Sequence, residues 1–249
     1  MNTEVLRHSW TVSPARAAAI QERLRSRVET RDRLGPVRLV AGIDASVTPG
    51  PRSAAAHRPA GGCRVRAAVV VLSFPGLETI ETSVVEQPCR FPYVPGLLAF
   101  REGPSILAAF RRLRTRPDLL LFDGQGIAHP RRFGIACHAG VLLDLPSIGC
   151  AKSRLTGTHA EPETARGAWA PLIDGGEIIG AALRTREGVK PVYVSTGHRV
   201  GLETAVALVL RCGGGYRLPE PTRRAHRAAG SGDGRPAPDA DPRPRGKSC

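Results

Sequence analysis

The sequence predicts an α/β protein with a mixed central β-sheet flanked by helices. Short apolar runs such as Ala67–Ser73 (AAVVVLS) and Leu119–Phe122 (LLLF) sit between turn residues, as buried strands do. Other segments space their apolar residues three and four apart among arginines, as helices packed by one face do. A length of 249 residues with 41% hydrophobic residues suffices for one domain with a sizeable core.

Taken in order, Ser13-Pro14 suits a helix start, with serine as cap and proline at the first helical position. Ile20, Leu24 and Val28 then recur among basic residues, which predicts an amphipathic helix up to about Asp32. Val37–Val47 reads as a strand carrying Asp44, a residue that either caps a turn through Ser46 or does chemistry. Residues 48–66 are rich in Pro, Gly, Ala and Arg, which predicts a flexible loop whose arginines can touch nucleic acid weakly. Ala67–Ser73 and Thr79–Gln87 are the next two strands, joined by a turn at Pro75-Gly76. The first three strands are therefore expected as an antiparallel meander.

Pro92 and Pro95 bracket Tyr93 and Val94, stiffening a loop and fixing the ring with little entropy left to lose. Glu102 stands before Gly103-Pro104, an expected helix start, with Ile106, Leu107, Phe110 and Leu113 on the buried face. In that position Glu102 can simply complement the helix dipole. Leu119–Phe122 ends on Asp123, and Gly124-Gln125-Gly126 follow at once. A carboxylate at the mouth of a buried strand, beside backbone without side chains, can hold a metal ion against a closely approaching substrate. A turn cap is the plainer alternative. His129-Pro130-Arg131-Arg132 adds an imidazole and two guanidinium groups suited to phosphate.

Phe133–Leu143 reads as a helix and 147–153 as a strand with Lys152 near its end. Glu177–Leu183 and Pro191–Ser195 are two further strands. Thr196-Gly197 can begin a helix with His198 in its first turn, Leu202, Val206 and Leu210 inside, and Gly213–Gly215 at its close. From Pro219 onward Pro, Gly, Ala and Arg dominate. The expected organisation is a catalytic domain over 1–218 and a disordered tail over 219–249.

The net charge of +14 and pI near 10.8 favour anionic partners, nucleic acid first and acidic membrane surfaces second. Seven basic and four acidic residues leave the expected tail at only +3, so the remaining +11 belongs to the body. No apolar run is long enough to span a membrane and no signal-peptide pattern is present. A soluble cytoplasmic monomer with no membrane partner is the expectation. The six cysteines show no CxxC pair or Cys/His cluster, so reduced thiols and no zinc site are expected.

Asp44, Glu102 and Asp123 stand out as carboxylates of the kind that bind Mg²⁺ and leave positions for water and phosphate. Such a site hydrolyses phosphodiesters. Strands first, an acid on the first of them, and a later strand ending in Asp match the ribonuclease H-like architecture by analogy. The motifs VAGIDASV, FPYVPGLLAFREGP, LLLFDGQGIAHPRRFGIACHAG, IGCAKSRL and YVSTGHRVGLETA occur in this order. Together they closely resemble the endonuclease V family of deoxyinosine 3′ endonucleases, over roughly Val12 to Leu218.

That resemblance implies metal ligands at Asp44, Glu102 and Asp123, for Mg²⁺ with Mn²⁺ able to substitute. It matches His198 to a histidine near the metal and Lys152 to a lysine near the attacked phosphate. It matches Pro92-Tyr93-Val94-Pro95 to a strand-separating wedge, and places Gly96, Leu98, Gly124 and Gly126 around a base pocket. His129 joins them as a substrate-binding candidate. Gln125 stands where relatives often carry another polar residue, and the 48–66 loop and the tail are extra.

The implied activity is a metal-dependent DNA repair endonuclease. It would nick at the second phosphodiester bond on the 3′ side of deoxyinosine, leaving 3′-hydroxyl and 5′-phosphate ends. The alternatives are an inosine-specific endoribonuclease and a non-catalytic nucleic-acid-binding protein on the same fold. Hypoxanthine presents an oxygen acceptor and an N1–H donor, the reverse of adenine, and an enzyme reading that edge must take the base out of the stack.

Overall fold

The computed structural model describes residues 8–48 and 62–230. The described elements run α1 (Pro14–Arg25), β1 (Leu39–Thr48), β2 (Arg64–Ser73), β3 (Thr79–Pro88), α2 (Leu98–Arg111), β4 (Leu119–Phe122) and α3 (Ile135–Leu143). They continue with β5 (Ser147–Ala151), β6 (Trp169–Asp174), β7 (Glu177–Leu183), β8 (Val192–His198), α4 (Leu202–Arg211) and α5 (Glu220–Gly230). The strands form one mixed sheet in the order β3-β2-β1-β4-β5-β8-β7-β6. Its architecture is ribonuclease H-like, as expected.

β1, β2 and β3 make the antiparallel meander. β2 is buried along nearly its whole length, which its Val- and Ala-rich sequence suits, because both faces are covered. β4 pairs parallel to β1 and to β5, so α2 and α3 are its crossovers. Alternate residues of these central strands feed two cores. Val40, Leu119, Leu121 and Ile148 meet α4 and α5 on one face. Ala41, Ile43, Leu120 and Phe122 meet α2 and α3 on the other. α1 packs Ala17, Ile20 and Leu24 onto Phe100, Phe133 and Cys137.

Several elements differ from expectation, each for a tertiary reason. α1 stops at Arg25, because the following segment is held to the end of β8: Arg199 N–H donates to Glu29 C=O, and Arg33 N–H to Arg199 C=O. α2 begins at Leu98, before Gly103-Pro104, because buried Leu97, Ala99 and Phe100 anchor its first turn. Glu102 therefore lies within the helix, not ahead of its N-terminus. β8 runs through Thr196 and Gly197 to His198, and α4 starts only at Leu202. β6 was not anticipated, although Asp174-Gly175-Gly176 is a strong hairpin signal and both glycines take positive φ. Of the expected 48–66 loop, 49–61 lie outside the described residues and Arg64–Arg66 belong to β2.

The boundary drawn at Leu218 is corrected most. Glu220–Gly230 form α5, which buries Pro221, Thr222, Ala225 and Ala229. It packs on β1 so closely that a Cβ on Gly42 would run into the Pro221 backbone. Ser46 Oγ donates to Ala229 C=O at 2.6 Å, so Ser46 serves this helix and not a turn cap for Asp44. Residues 231–249 of the expected tail lie outside the described residues.

Candidate active site

The parallel register sets Ile43 against Phe122, which brings the next residues, Asp44 and Asp123, side by side. Asp123 N–H donates to Ile43 C=O at 3.0 Å. Asp123 Oδ2 pairs with Lys152 Nζ at 2.6 Å, Lys152 being the first residue after the neighbouring strand β5. From α5, His226 places Nδ1 2.6 Å from Asp44 Oδ2 and 3.4 Å from Lys152 Nζ. One ligand atom from each of Asp44, Asp123 and His226 lies within 4.8 Å of the others.

Glu102 joins this group electrostatically. Burial first, then the charges of Asp44 and Asp123, push its carboxyl up to about 8. Asp44 is likewise raised by burial and by Asp123, against an opposing hydrogen bond from His226. Hard oxygen donors this close, with the carboxyls of Asp44 and Glu102 raised by burial and by neighbouring negative charge and an imidazole beside them, fit a divalent cation, whose charge relieves the repulsion.

The same repulsion has a measurable sign. Glu102 is raised above its ordinary 4.5, so protonation favours the folded state, and that stability is lost as pH rises through about 8. His129, His138 and His198 are all lowered, so their opposing contribution is complete once pH exceeds the ordinary histidine value of 6.5. In chelator, the melting temperature is therefore expected to fall between about pH 7 and about pH 9. Glu102→Gln should flatten that fall, and Mg²⁺ should reduce it. A chelated wild type with no such fall, or the same fall in Glu102→Gln, would contradict the clustering.

Tyr93, Pro95, Gly96 and Leu98 line one side of a cleft of about 330 Å³. Glu102, Asp123, Gly124, Gln125 and Lys152 also line it. Tyr93 is 67% exposed, with Arg101 over its ring at 5.7 Å, while Val94 tucks against the core. Pro92 is exposed beside Tyr93.

Gly96 is the hinge that holds this loop. Its φ of +77° suits glycine, and its carbonyl accepts from Gln21 Nε2 (3.0 Å), His129 Nε2 (2.8 Å) and Arg131 Nη2 (2.8 Å). His129 is 3% exposed, and burial chiefly pushes it down to about 4, so it is a neutral donor to Gly96. Arg131 also donates to Gln21 Oε1 at 2.6 Å, and Arg132 pairs with Asp174 (2.8 Å) and Glu177 (2.7 Å). His129 also lines the cleft, and all three of His129, Arg131 and Arg132 brace neighbouring loops. Gln21 was missed, for a polar residue inside an amphipathic helix gives no sign of its partner.

Gly126 does not line the cleft. It packs beneath β8, its N–H donating to Ser195 Oγ at 2.9 Å, and a Cβ there would strike the Thr196 backbone. His198 is not at the cleft either. Its ring accepts from Glu29 N–H at 3.2 Å, and it pairs in register with Ser147, at the far end of β5 from Lys152. The five residues of β5 separate the two by about 16 Å at ~3.3 Å each. The histidine at the carboxylates is His226, which composition hid inside an apparent tail.

Solved structures with this architecture define the class. The chain matches a crystal structure of the Endonuclease V from Streptomyces avermitilis with a TM-score of 0.79 and 43% identity, covering 89% of this chain and 93% of that one. The match to the Ciona intestinalis Endonuclease V, solved in complex with a 24mer DNA containing an inosine followed by a ribo-adenosine, has a TM-score of 0.69 and 27% identity. It covers 86% of this chain and 95% of the Ciona chain. The chain shares the ribonuclease H-like fold of these nucleases.

The family model for Endonuclease V matches residues 22–227, a span that includes His226. The Endonuclease V of Roseiflexus sp. (strain RS-1) is 55% identical over 223 residues, covering 90% of this chain and 95% of the relative. The chain belongs to the Endonuclease V family.

Proposed function

We propose that this protein is a metal-dependent DNA repair endonuclease acting on deoxyinosine. It cuts the second phosphodiester bond on the 3′ side and leaves 3′-hydroxyl and 5′-phosphate ends. The observation that carries the proposal is the convergence of Glu102, Asp123 and Lys152 with an exposed Tyr93 around one cleft, with Asp44 beside Asp123. Asp44, Glu102 and Asp123 would hold Mg²⁺, or Mn²⁺ in its place. The ion supplies charge neutralisation at the attacked phosphate and a more acidic water.

The chain's own groups do the rest. Lys152, already 2.6 Å from Asp123, places a positive charge where phosphate charge develops. His226, fixed by Asp44, is the imidazole able to accept or return a proton at the cleft. His198 has no part in this chemistry. Gly96 and Gly124 bring backbone close to an extruded base, and Gly126 supports that backbone from behind. Tyr93 fills the gap left in the duplex, where base–aromatic stacking is worth roughly 1–3 kcal/mol.

Tyr93→Ala is expected to leave the melting temperature nearly unchanged, because the ring is 67% exposed. Cleavage of an inosine duplex should fall, with a smaller loss on single strands, where less must be pried apart. A strongly lowered melting temperature, or equal losses on both substrates, would contradict the wedge role.

The second reading, an inosine-specific endoribonuclease, draws support from the ribo-adenosine after the inosine in the Ciona complex. Matched DNA and RNA oligonucleotides carrying one inosine separate the two readings. Faster single-turnover cleavage of the DNA supports the proposal, and cleavage confined to RNA would replace it with the second. Binding without cleavage of either, in Mg²⁺ or Mn²⁺, would leave a non-catalytic binding protein.

A further inference from the structure

Cys63 and Cys89 look unrelated in sequence, yet the fold sets them face to face. β2 and β3 pair Arg64 with Pro88, and one step beyond, Cys89 N–H donates to Cys63 C=O at 2.6 Å. Opposed residues in a hydrogen-bonded antiparallel pair have Cα atoms ~5.5 Å apart. That separation lies inside the ~4.4–6.8 Å spanned by disulfides. The two side chains are within hydrogen-bonding reach of each other. Both are half-buried free thiols, whereas Cys137, Cys150 and Cys212 are buried.

Each sulfur also touches the support of the Tyr93 loop. Arg101 Nη2 donates to Cys63 Sγ at 3.4 Å, and the same guanidinium lies over the Tyr93 ring. Cys89 Sγ donates to the carbonyl of Phe91, at the start of the loop, at 3.3 Å.

We propose that Cys63 and Cys89 form a reversible dithiol–disulfide couple oxidised by small-molecule disulfides. Cys63, beside the guanidinium, attacks RS–SR, forming a mixed disulfide and releasing one RS⁻. Cys89, whose thiol is raised chiefly by burial, then attacks Cys63 Sγ and expels the second RS⁻. The two thiol protons leave with these groups, so the protein loses two electrons and two protons while RS–SR becomes two RSH. The Cys89 S–H that held Phe91 is consumed, so oxidation removes one tether of the Tyr93 loop. That consequence rests on the wedge reading of Tyr93, and the cross-link itself does not.

The test uses the full chain in glutathione disulfide, followed by alkylation and peptide mass mapping. The expected result is a Cys63–Cys89 cross-link, a loss of two hydrogens in intact mass, and full reversal by dithiothreitol. Cys63→Ser and Cys89→Ser should each abolish it. Cysteines that stay alkylatable, or a mixed disulfide on Cys63 that Cys89 does not resolve, would overturn the couple. In the oxidised protein, duplex cleavage should drop severalfold more than single-strand cleavage. Equal rates with the cross-link formed would overturn the link to Tyr93. No cleavage in either state would count against the proposed activity and leave the cross-link readout intact.

Discussion

Asp123→Asn is expected to abolish cleavage of an inosine duplex in saturating Mg²⁺ while leaving the fold intact. The substitution keeps the side chain's size and removes the charge that, with Asp44 and Glu102, attracts a divalent ion. Asp123 raises the pKa of both those neighbours, so neutralising it relieves repulsion in the metal-free protein. The melting temperature should therefore be kept or rise, although Lys152 loses its 2.6 Å partner. Binding of inosine DNA in chelator should persist or tighten, because one negative charge near the phosphates is gone. If Asp123 only shaped the turn before Gly124, asparagine would serve as well and cleavage would continue near the wild-type rate. Single-turnover kinetics alongside a thermal melt decides between these outcomes.

Ending the chain after Leu218 is expected to collapse the folded domain, whereas ending it after Gly230 should not. The shorter chain loses α5 and with it Pro221, Thr222, Ala225 and Ala229 from the face of β1 and β2. Exposing even ~300 Å² of apolar surface costs about 7.5 kcal/mol at ~25 cal/mol per Å². That is comparable with the whole stability of a domain, about 5–15 kcal/mol. It also loses His226 from the carboxylates, so any folded remnant should be inactive. The longer chain keeps every described element and gives up only four basic and three acidic residues, a net charge of +1. Melting and cleavage assays on both lengths check this. An active, cooperatively melting 1–218 chain would show that α5 is dispensable.

The parts of the fold written in local pattern were legible in the sequence. β1 to β3 were legible because each is a β-branched apolar run bounded by turn residues, with Pro75-Gly76 turning β2 back into β3. Asp123 was legible because a carboxylate directly after LLLF has to emerge at a strand end. What escaped depended on partners distant in the chain. Gly103-Pro104 signals a helix start, yet buried Leu97 and Phe100 begin α2 earlier and turn Glu102 inward. Thr196-Gly197 reads as a helix start too, but Gly126 and Ser147 pack against that backbone and keep it extended, carrying His198 away from the cleft. The Ala- and Arg-rich composition of 220–230 suits a helix as well as a tail. The bare backbone at Gly42, which admits Pro221, decided for a helix and delivered His226.

On the proposed function, the cleft between Asp123 and Tyr93 cuts DNA at a fixed place relative to inosine, with a divalent ion held by this chain's acids. The most direct measurement maps the cut at nucleotide resolution on a 5′-labelled duplex with one deoxyinosine, in Mg²⁺ and in chelator. The expected result is one product ending in a 3′-hydroxyl one nucleotide beyond the inosine, formed in Mg²⁺ and absent in chelator. A cut elsewhere, a cut in the inosine-free duplex at equal rate, or the same product in chelator would contradict it.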